Sequence, residues 1–307
     1  MPVIELMQVS KEYRSGFLMK KIKALDNLTL SIDEGETFGY IGPNGAGKTT
    51  TFKILMGLIY PTSGTVRLFG RDLGDIRVKQ IIGFLPEAPY FYDYLTAEEF
   101  LDFYGQLFQL ERNLRRKKID ELLELVDLSR ARTLRLRQFS KGMLQRIGIA
   151  QALINDPQLI ILDEPMSGLD PLGRIQIRDI ILLLKKQRKT IIFSTHILSD
   201  VEQICDRVGI LVGGKLKDLV DLDDLLRERV KSIEIVASGL GESEIHRVKT
   251  VAREITLHDE LLIILVNSEQ ERDQIFDIIR VGQGRVISMS PRHESLEELL
   301  LEEIQRG

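Results

Sequence analysis

Thr37-Phe38-Gly39-Tyr40-Ile41-Gly42-Pro43-Asn44-Gly45-Ala46-Gly47-Lys48-Thr49-Thr50 is the stretch on which the fold turns. Thr37–Ile41 is short, β-rich and almost wholly apolar, the pattern of a strand buried on both faces. Gly42 to Thr49 then fit G-x-x-x-x-G-K-[ST], and a helical pattern runs from Lys48 to Leu58. Strand, glycine-rich loop and helix, in that order, are the context this motif needs. The glycines let the backbone curl so that successive N–H groups point inward at phosphate. The opening helix adds the positive end of its dipole. Lys48 is placed to reach β- and γ-phosphates, and the Thr49 hydroxyl to ligate Mg²⁺. With Gly near ~7% of residues, the bare pattern arises by chance in about one chain of this length in a hundred. The strand–loop–helix context makes chance a poor account here.

A phosphate loop alone implies only nucleotide binding. Leu159-Ile160-Ile161-Leu162-Asp163-Glu164 adds a reaction, because a buried apolar strand ends in two adjacent carboxylates. Asp163 suits the Mg²⁺ hydration shell. Glu164 is then the candidate to orient and polarise an attacking water.

Outward from these two strands, residues 1–220 alternate β-rich runs with helical patterns. Val3–Val9, Leu28–Ile32 and Thr65–Phe69 have the period-2 features of an antiparallel sheet. Leu159–Leu162, Thr190–Ser194 and Arg207–Val212 join Thr37–Ile41 as candidate parallel strands. Helical patterns cover Ala97–Phe108, Lys117–Val126, Lys141–Ile154, Gly173–Gln187 and Ile197–Cys205. The fold class is α/β with an antiparallel flank. The basic run Arg112–Lys118 reads as a solvated loop and helix start. After Gly213-Gly214 the character changes. Leu222–Arg229 reads as a charged helical connector, followed by a βαββαβα order that ends in a helix over Leu296–Ile304. The expected division is 1–220 for the nucleotide-binding unit and 221–307 for connector and a small α+β domain.

Phe139-Ser140-Lys141-Gly142-Met143, followed by Leu144-Gln145-Arg146, resembles the signature of the ABC ATPase family. Ser167-Gly168-Leu169-Asp170 looks like its D-loop and Ser194-Thr195-His196 like its H-loop. Tyr13 fits the aromatic that stacks on adenine. The likeness covers roughly residues 1–220 and rests on an ordered set of motifs. It implies a P-loop NTPase cassette: a RecA-like parallel core, an antiparallel β flank and a helical subdomain, with ATP and Mg²⁺ as ligands. It also implies two cassettes facing head to tail, each ATP lying between the phosphate loop of one and the signature of the other. Ser140, Lys141, Gly142 and Met143 then serve the partner's ATP. His196 contacts the γ-phosphate and organises the water with Glu164, and Asp170 links the two sites.

Two departures from the family pattern stand out. The signature reads Ser-Lys-Gly-Met rather than Ser-Gly-Gly-Gln, which leaves Ser140 and Gly142 in place. Glu87, in Ile82-Gly83-Phe84-Leu85-Pro86-Glu87, stands where the family has a Gln beside the metal. A carboxylate can still accept from a Mg²⁺-bound water, but it adds negative charge near the phosphates. Beyond it, Tyr90, Phe91, Tyr92 and Tyr94 fall where the family receives its membrane subunit. Aromatics enrich interface cores, and they are equally common in ordinary cores.

The bulk numbers narrow the class further. A net charge of −4, from 42 basic and 46 acidic residues, argues against coating nucleic acid. Cys205 is the single cysteine, and its apolar helical setting suggests a small buried hydrophobe. No window reaches the ~18 apolar residues of a membrane span; Ile175–Leu184 is broken by Gln176, Arg178 and Asp179. No signal peptide is visible. The expectation is a soluble, peripheral subunit on the cytoplasmic face of the membrane, bound to a separate permease and to a second copy of itself. The resemblance leans toward bacterial exporter cassettes. A soluble ABC ATPase acting on ribosomes or DNA is the alternative. One phosphate loop and no long heptad tract between Lys48 and Ser140 speak against it.

Overall fold

The computed structural model describes residues 2–15, 20–222, 224, 230–258, 261–293 and 300. These fall into two compact units; the chain passes from the first to the second after Leu222, and Leu300 is grouped with the first.

In the first unit, β3 (Thr37–Ile41), β6 (Ile82–Leu85), β7 (Leu159–Leu162), β8 (Thr190–Thr195), β9 (Arg207–Val212) and β10 (Lys215–Asp221) form one sheet in the order β10-β9-β3-β8-β7-β6. All neighbours are parallel except the β9/β10 hairpin at one edge. Every residue of β3, β7 and β8 is buried, as continuous apolar runs require when helices cover both faces. Adjacent parallel strands end together, so the loops after β3, β6, β7 and β8 open at one edge. That edge is where open α/β sheets bind ligands.

A second, antiparallel sheet, β2-β1-β4-β5, pairs β1 (Pro2–Ser15) with β2 (Lys20–Asp33) and with β4 (Ser63–Leu68), and β4 with β5 (Arg71–Asp72). Its inward residues, among them Ile4, Leu6, Val9, Leu28 and Ile32, share one core with Phe38, Tyr40 and Phe52. The two sheets are therefore welded through apolar contact.

The helix α1 (Lys48–Leu55) leaves the phosphate loop. The helices α3 (Ala97–Leu107), α4 (Arg112–Leu125) and α5 (Lys141–Ala152) pack on one another, with α5 against β6, while α2 (Ile76–Lys79) precedes β6. Thr96 and Glu99 start α3 with a reciprocal capping box, which satisfies two orphan backbone donors. The basic run differs from its expected reading. Glu111 caps α4, so Arg112–Lys118 forms the first two turns of a helix. Arg115 pairs with Asp102 on α3, and Lys118 with Asp156. The run is thus partly a clamp between helices. The helices α6 (Pro171–Lys186) and α7 (Leu198–Ile204) pack together, with α7 against β3.

In the second unit, β12 (Glu254–His258), β13 (Leu261–Val266), β11 (Val230–Ser238) and β14 (Arg285–His293) form an antiparallel sheet in that order. The helices α8 (Glu242–Val251) and α9 (Glu269–Val281) cover one face, packing Val248 and Ile275 over Ile235 and Ile264. This is a small α+β fold. Apart from Leu300, the expected helix over Leu296–Ile304 lies mostly outside the described residues, as does most of the connector over Leu222–Arg229.

Cys205 is buried between α7 and β3, where a Cβ on Gly39 would lie 2.8 Å from its sulfur. Burial raises the thiol pKa well above its usual value, so it stays protonated and unreactive. A thiol reagent such as DTNB should therefore leave the native chain unlabelled and titrate one thiol after denaturation. Rapid native labelling would contradict this packing.

Candidate functional site

The phosphate loop joins β3 to α1 and carries its own geometric demands. Gly47 is the N-cap of α1 at φ +112°, and a Cβ there would sit 2.6 Å from the Ala24 carbonyl. Only glycine satisfies both conditions. A Cβ on Gly42 would collide with the Leu211 carbonyl. No side chain caps α1, so its first N–H groups remain available to an anion. Asn44, Gly45, Ala46, Gly47, Lys48, Thr49 and Thr50 line one pocket together with Ala24, Glu87 and Glu164.

Lys48 is buried and holds its ammonium at 2.7 Å from the Gly42 carbonyl. The same ammonium lies 3.5 Å from Glu164 Oε1, its carboxylate partner. The other Glu164 oxygen lies 2.8 Å from His196 Nδ1. Glu164 thus sits between the loop lysine and the H-loop histidine. It does so in the left-handed region, at φ +50°. Such a backbone costs about 1–3 kcal/mol and persists where surrounding contacts over-determine it.

Strand register brings the rest together. Leu162 on β7 is level with Phe193 on β8, which places Ser194 beside the two carboxylates. The Ser194 hydroxyl donates to Asp163 Oδ1 at 2.6 Å and accepts from the Glu164 backbone N–H at 2.9 Å. Asp163 is buried, and desolvation raises its pKa above the ordinary carboxylate value. Hydrogen bonds from Ser194 and then Thr49 pull it back down. A buried carboxylate already in contact with the Thr49 hydroxyl is a two-oxygen cation site. Among the described residues no three His, Cys, Asp or Glu side chains form a metal cage. Two protein oxygens, completed by phosphate and water, are the donor set that Mg²⁺ usually takes. The residues present therefore fit the ion.

The signature residues stand elsewhere. Ser140 is the N-cap of α5, its hydroxyl accepting from the Met143 N–H at 3.3 Å. Ser140, Lys141, Gly142 and Met143 line a second pocket with Asp170 and Gly168. Asp170 caps α6 through the Gly173 N–H at 2.8 Å. Lys141 lays its ammonium against Gly168, where a Cβ would strike it. This second pocket has no lining residue in common with the first. Tyr13 is exposed on β1, with the Lys11 ammonium 5.4 Å from its ring centre, and does not line the phosphate-loop pocket. Pro43 is exposed at the loop's outer turn, its carbonyl 3.4 Å from the Lys48 ammonium.

With this geometry in hand, comparison with known proteins is direct. The ABC transporter family profile matches residues 25–167. An ABC transporter ATP-binding protein of Synechocystis is 46% identical over 99% of this chain and 86% of its own length. The chain belongs to the ABC transporter ATP-binding proteins. The bacitracin transport ATP-binding protein BcrA of Bacillus licheniformis is 35% identical, over 99% of this chain and 98% of its own. Among solved structures, the ATP-binding cassette MJ0796, captured as a post-hydrolysis dimer with ADP and Pi, is similar at 30% identity. Its TM-score is 0.65, over 71% of this chain and 98% of that one. The chain is thus an ABC transporter ATP-binding subunit, with an ABC-type P-loop NTPase fold and ATPase activity.

Motif reading located Lys48, Asp163, Glu164 and His196 but gave Ser194 no role of its own. Its part depends on the register of β7 against β8, which no local pattern encodes; its place two residues before His196 was the available signal. A hydrogen bond to a charged group contributes about 1.5–3 kcal/mol. Ser194→Ala should accordingly lower ATPase kcat about tenfold or more, with the chain still folded by circular dichroism. Wild-type turnover in that variant would remove Ser194 from the site.

Proposed function

We propose that the chain energises a membrane exporter made by a separate permease polypeptide, through ATP-driven pairing of two copies head to tail. One observation carries the pairing. Phosphate loop and signature line two distinct pockets of the same unit, with no lining residue in common. A second copy turned head to tail would set Ser140 and the Gly142 N–H, at the N-terminus of α5, against the ATP held by Lys48. The likeness to MJ0796, solved as a dimer, supports the same arrangement.

Within the site, Lys48 and the bare N-terminus of α1 bind the phosphates. Thr49 and Asp163 hold Mg²⁺, with Glu87 as a further acceptor for its water shell. When bound, the ion neutralises charge that builds on the phosphate oxygens. Glu164 orients the attacking water and accepts its proton at a carboxylate oxygen. His196 steadies Glu164 through Nδ1, leaving its far nitrogen to face the γ-phosphate. Tyr13 stacks on adenine, and Asp170 relays between the two sites across the pair.

The membrane-facing side rests on a different surface. Tyr90 and Tyr94 are exposed, and a groove beside Tyr90 runs along Pro86, Pro89, Tyr104 and Leu107. Aromatics exposed around a groove suit a partner's inserted helix. No described helix is long and apolar enough to cross a membrane, so the permease is a second chain in this reading. Likeness to a bacitracin transport protein supports a role in transport; in this reading the direction is export and the subunit sits on the cytoplasmic face of the membrane.

Glu164→Gln should bind ATP, fail to turn it over and elute as a dimer when ATP is present. A monomeric elution with nucleotide demonstrably bound would contradict the head-to-tail pairing. Tyr90→Ala should leave the ATPase of the isolated chain within about twofold of wild type, as exposed substitutions usually do. It should also reduce recovery of a multispan membrane protein in a gentle-detergent pull-down. Unchanged recovery would move the docking surface elsewhere.

A further inference from the structure

Behind the site, α6 and α7 each carry a charged group that no motif accounts for. The helix α6 begins at Asp170, and α7 begins two residues after His196. Asp200, on α7, is only 7% exposed, and its Oδ2 has no hydrogen-bond partner. On the neighbouring helix, Arg174 Nε is also buried without a partner. Among the charges acting on Asp200, Arg174 is the strongest, followed by Arg178 and His196. Arg178 is already engaged, donating to Gln203 at 2.6 Å and lying 3.9 Å from Asp179. Arg174 is therefore the cation with a donor to spare, and Asp200 the anion with an acceptor to spare.

A buried carboxylate oxygen left unpaired is costly, as is a buried guanidinium N–H. Two such atoms on packed helices, of opposite charge, are complementary halves of one contact. They are placed tellingly along the chain. Arg174 lies four residues after Asp170, one helical turn into α6. Asp200 lies four residues after His196. The pair spans the step from the D-loop to the histidine that holds Glu164.

We propose that Asp200 and Arg174 form a latch between α7 and α6, through which the D-loop sets the position of His196. In this structure the latch is open. A small shift of α6, such as a second copy would impose at Asp170, lets Arg174 Nε donate to Asp200 Oδ2. That contact fixes the start of α7 and so holds His196 against Glu164. Both residues are positioning residues, with no contact to substrate. The latch rests on the roles given above to His196, Glu164 and Asp170.

The test is a double-mutant cycle on the full chain with Asp200→Asn, Arg174→Gln and the double variant. ATPase kcat and KM, nucleotide affinity and Tm are measured for each. Each single variant should lose kcat about fivefold or more, with KM and nucleotide affinity within twofold. The double should be no slower than the slower single, and Asp200→Glu should recover part of the rate. Wild-type kcat in either single variant would overturn the latch. Losses that multiply in the double, or that follow the fall in Tm alone, would overturn it as well. His196→Ala, run alongside, separates the failures. If that variant turns over ATP normally, the role of His196 is wrong. If it is inactive while Asp200→Asn is not, only the latch falls.

Discussion

Lys48 places a positive charge where little water reaches, and much of the surrounding structure serves to accommodate it. A buried ion is tolerated only when paired and hydrogen-bonded, since breaking such a pair costs about 3–5 kcal/mol. The Gly42 and Pro43 carbonyls accept from the ammonium, and Glu164 supplies the opposite charge. Gly42 follows β3 and Glu164 follows β7, so the lysine ties together two strands that are not neighbours. The strand between them, β8, contributes Ser194 and His196 to the same knot. Three parallel strands ending level therefore supply the site's groups, and the shared apolar core keeps them level.

The fold was legible where burial is two-sided. β3, β7, β8 and β9 are near-continuous apolar runs, and their bounds in the structure differ little from the sequence reading. Legibility fell where the local signal is mixed. β6 has four residues, one of them Gly83, and the sequence reading assigns it no element; it is a strand through its pairing with β7. β10 is an edge strand whose Lys217 and Asp218 disguise it, as charges on sheet edges commonly do. β1 and β2 run well past Val9 and before Leu28, because the outer half of that hairpin carries exposed Tyr13, Ile22 and Lys21 and shows no apolar periodicity. In α4, Glu111 supplied the start signal, and the run of basic residues masked it.

The site shows a similar division. Lys48, Thr49, Asp163, Glu164 and His196 are fixed by short motifs whose spacing follows from strand–loop–helix geometry. Ser194 acts only through the alignment of two strands, and Arg174 and Asp200 only through the packing of two helices. Such contacts join residues more than twenty positions apart, and sequence periodicity carries no information about them.

In the proposed function, the pairing of Lys48 with Glu164 also couples phosphate binding to the hydrolytic base. The lysine is paired with the carboxylate that is to serve as base, and the base is held by the lysine. Phosphate offers Lys48 a stronger anionic partner. The carboxylate is then released from one side and remains tied to His196 on the other. Binding thus converts Glu164 from a counter-ion into a group free to accept a water's hydrogen bond. Its left-handed backbone, already strained, keeps the side chain aimed at the loop during that exchange. The same residues that stabilise the buried lysine become the hydrolytic machinery once the substrate takes over the charge.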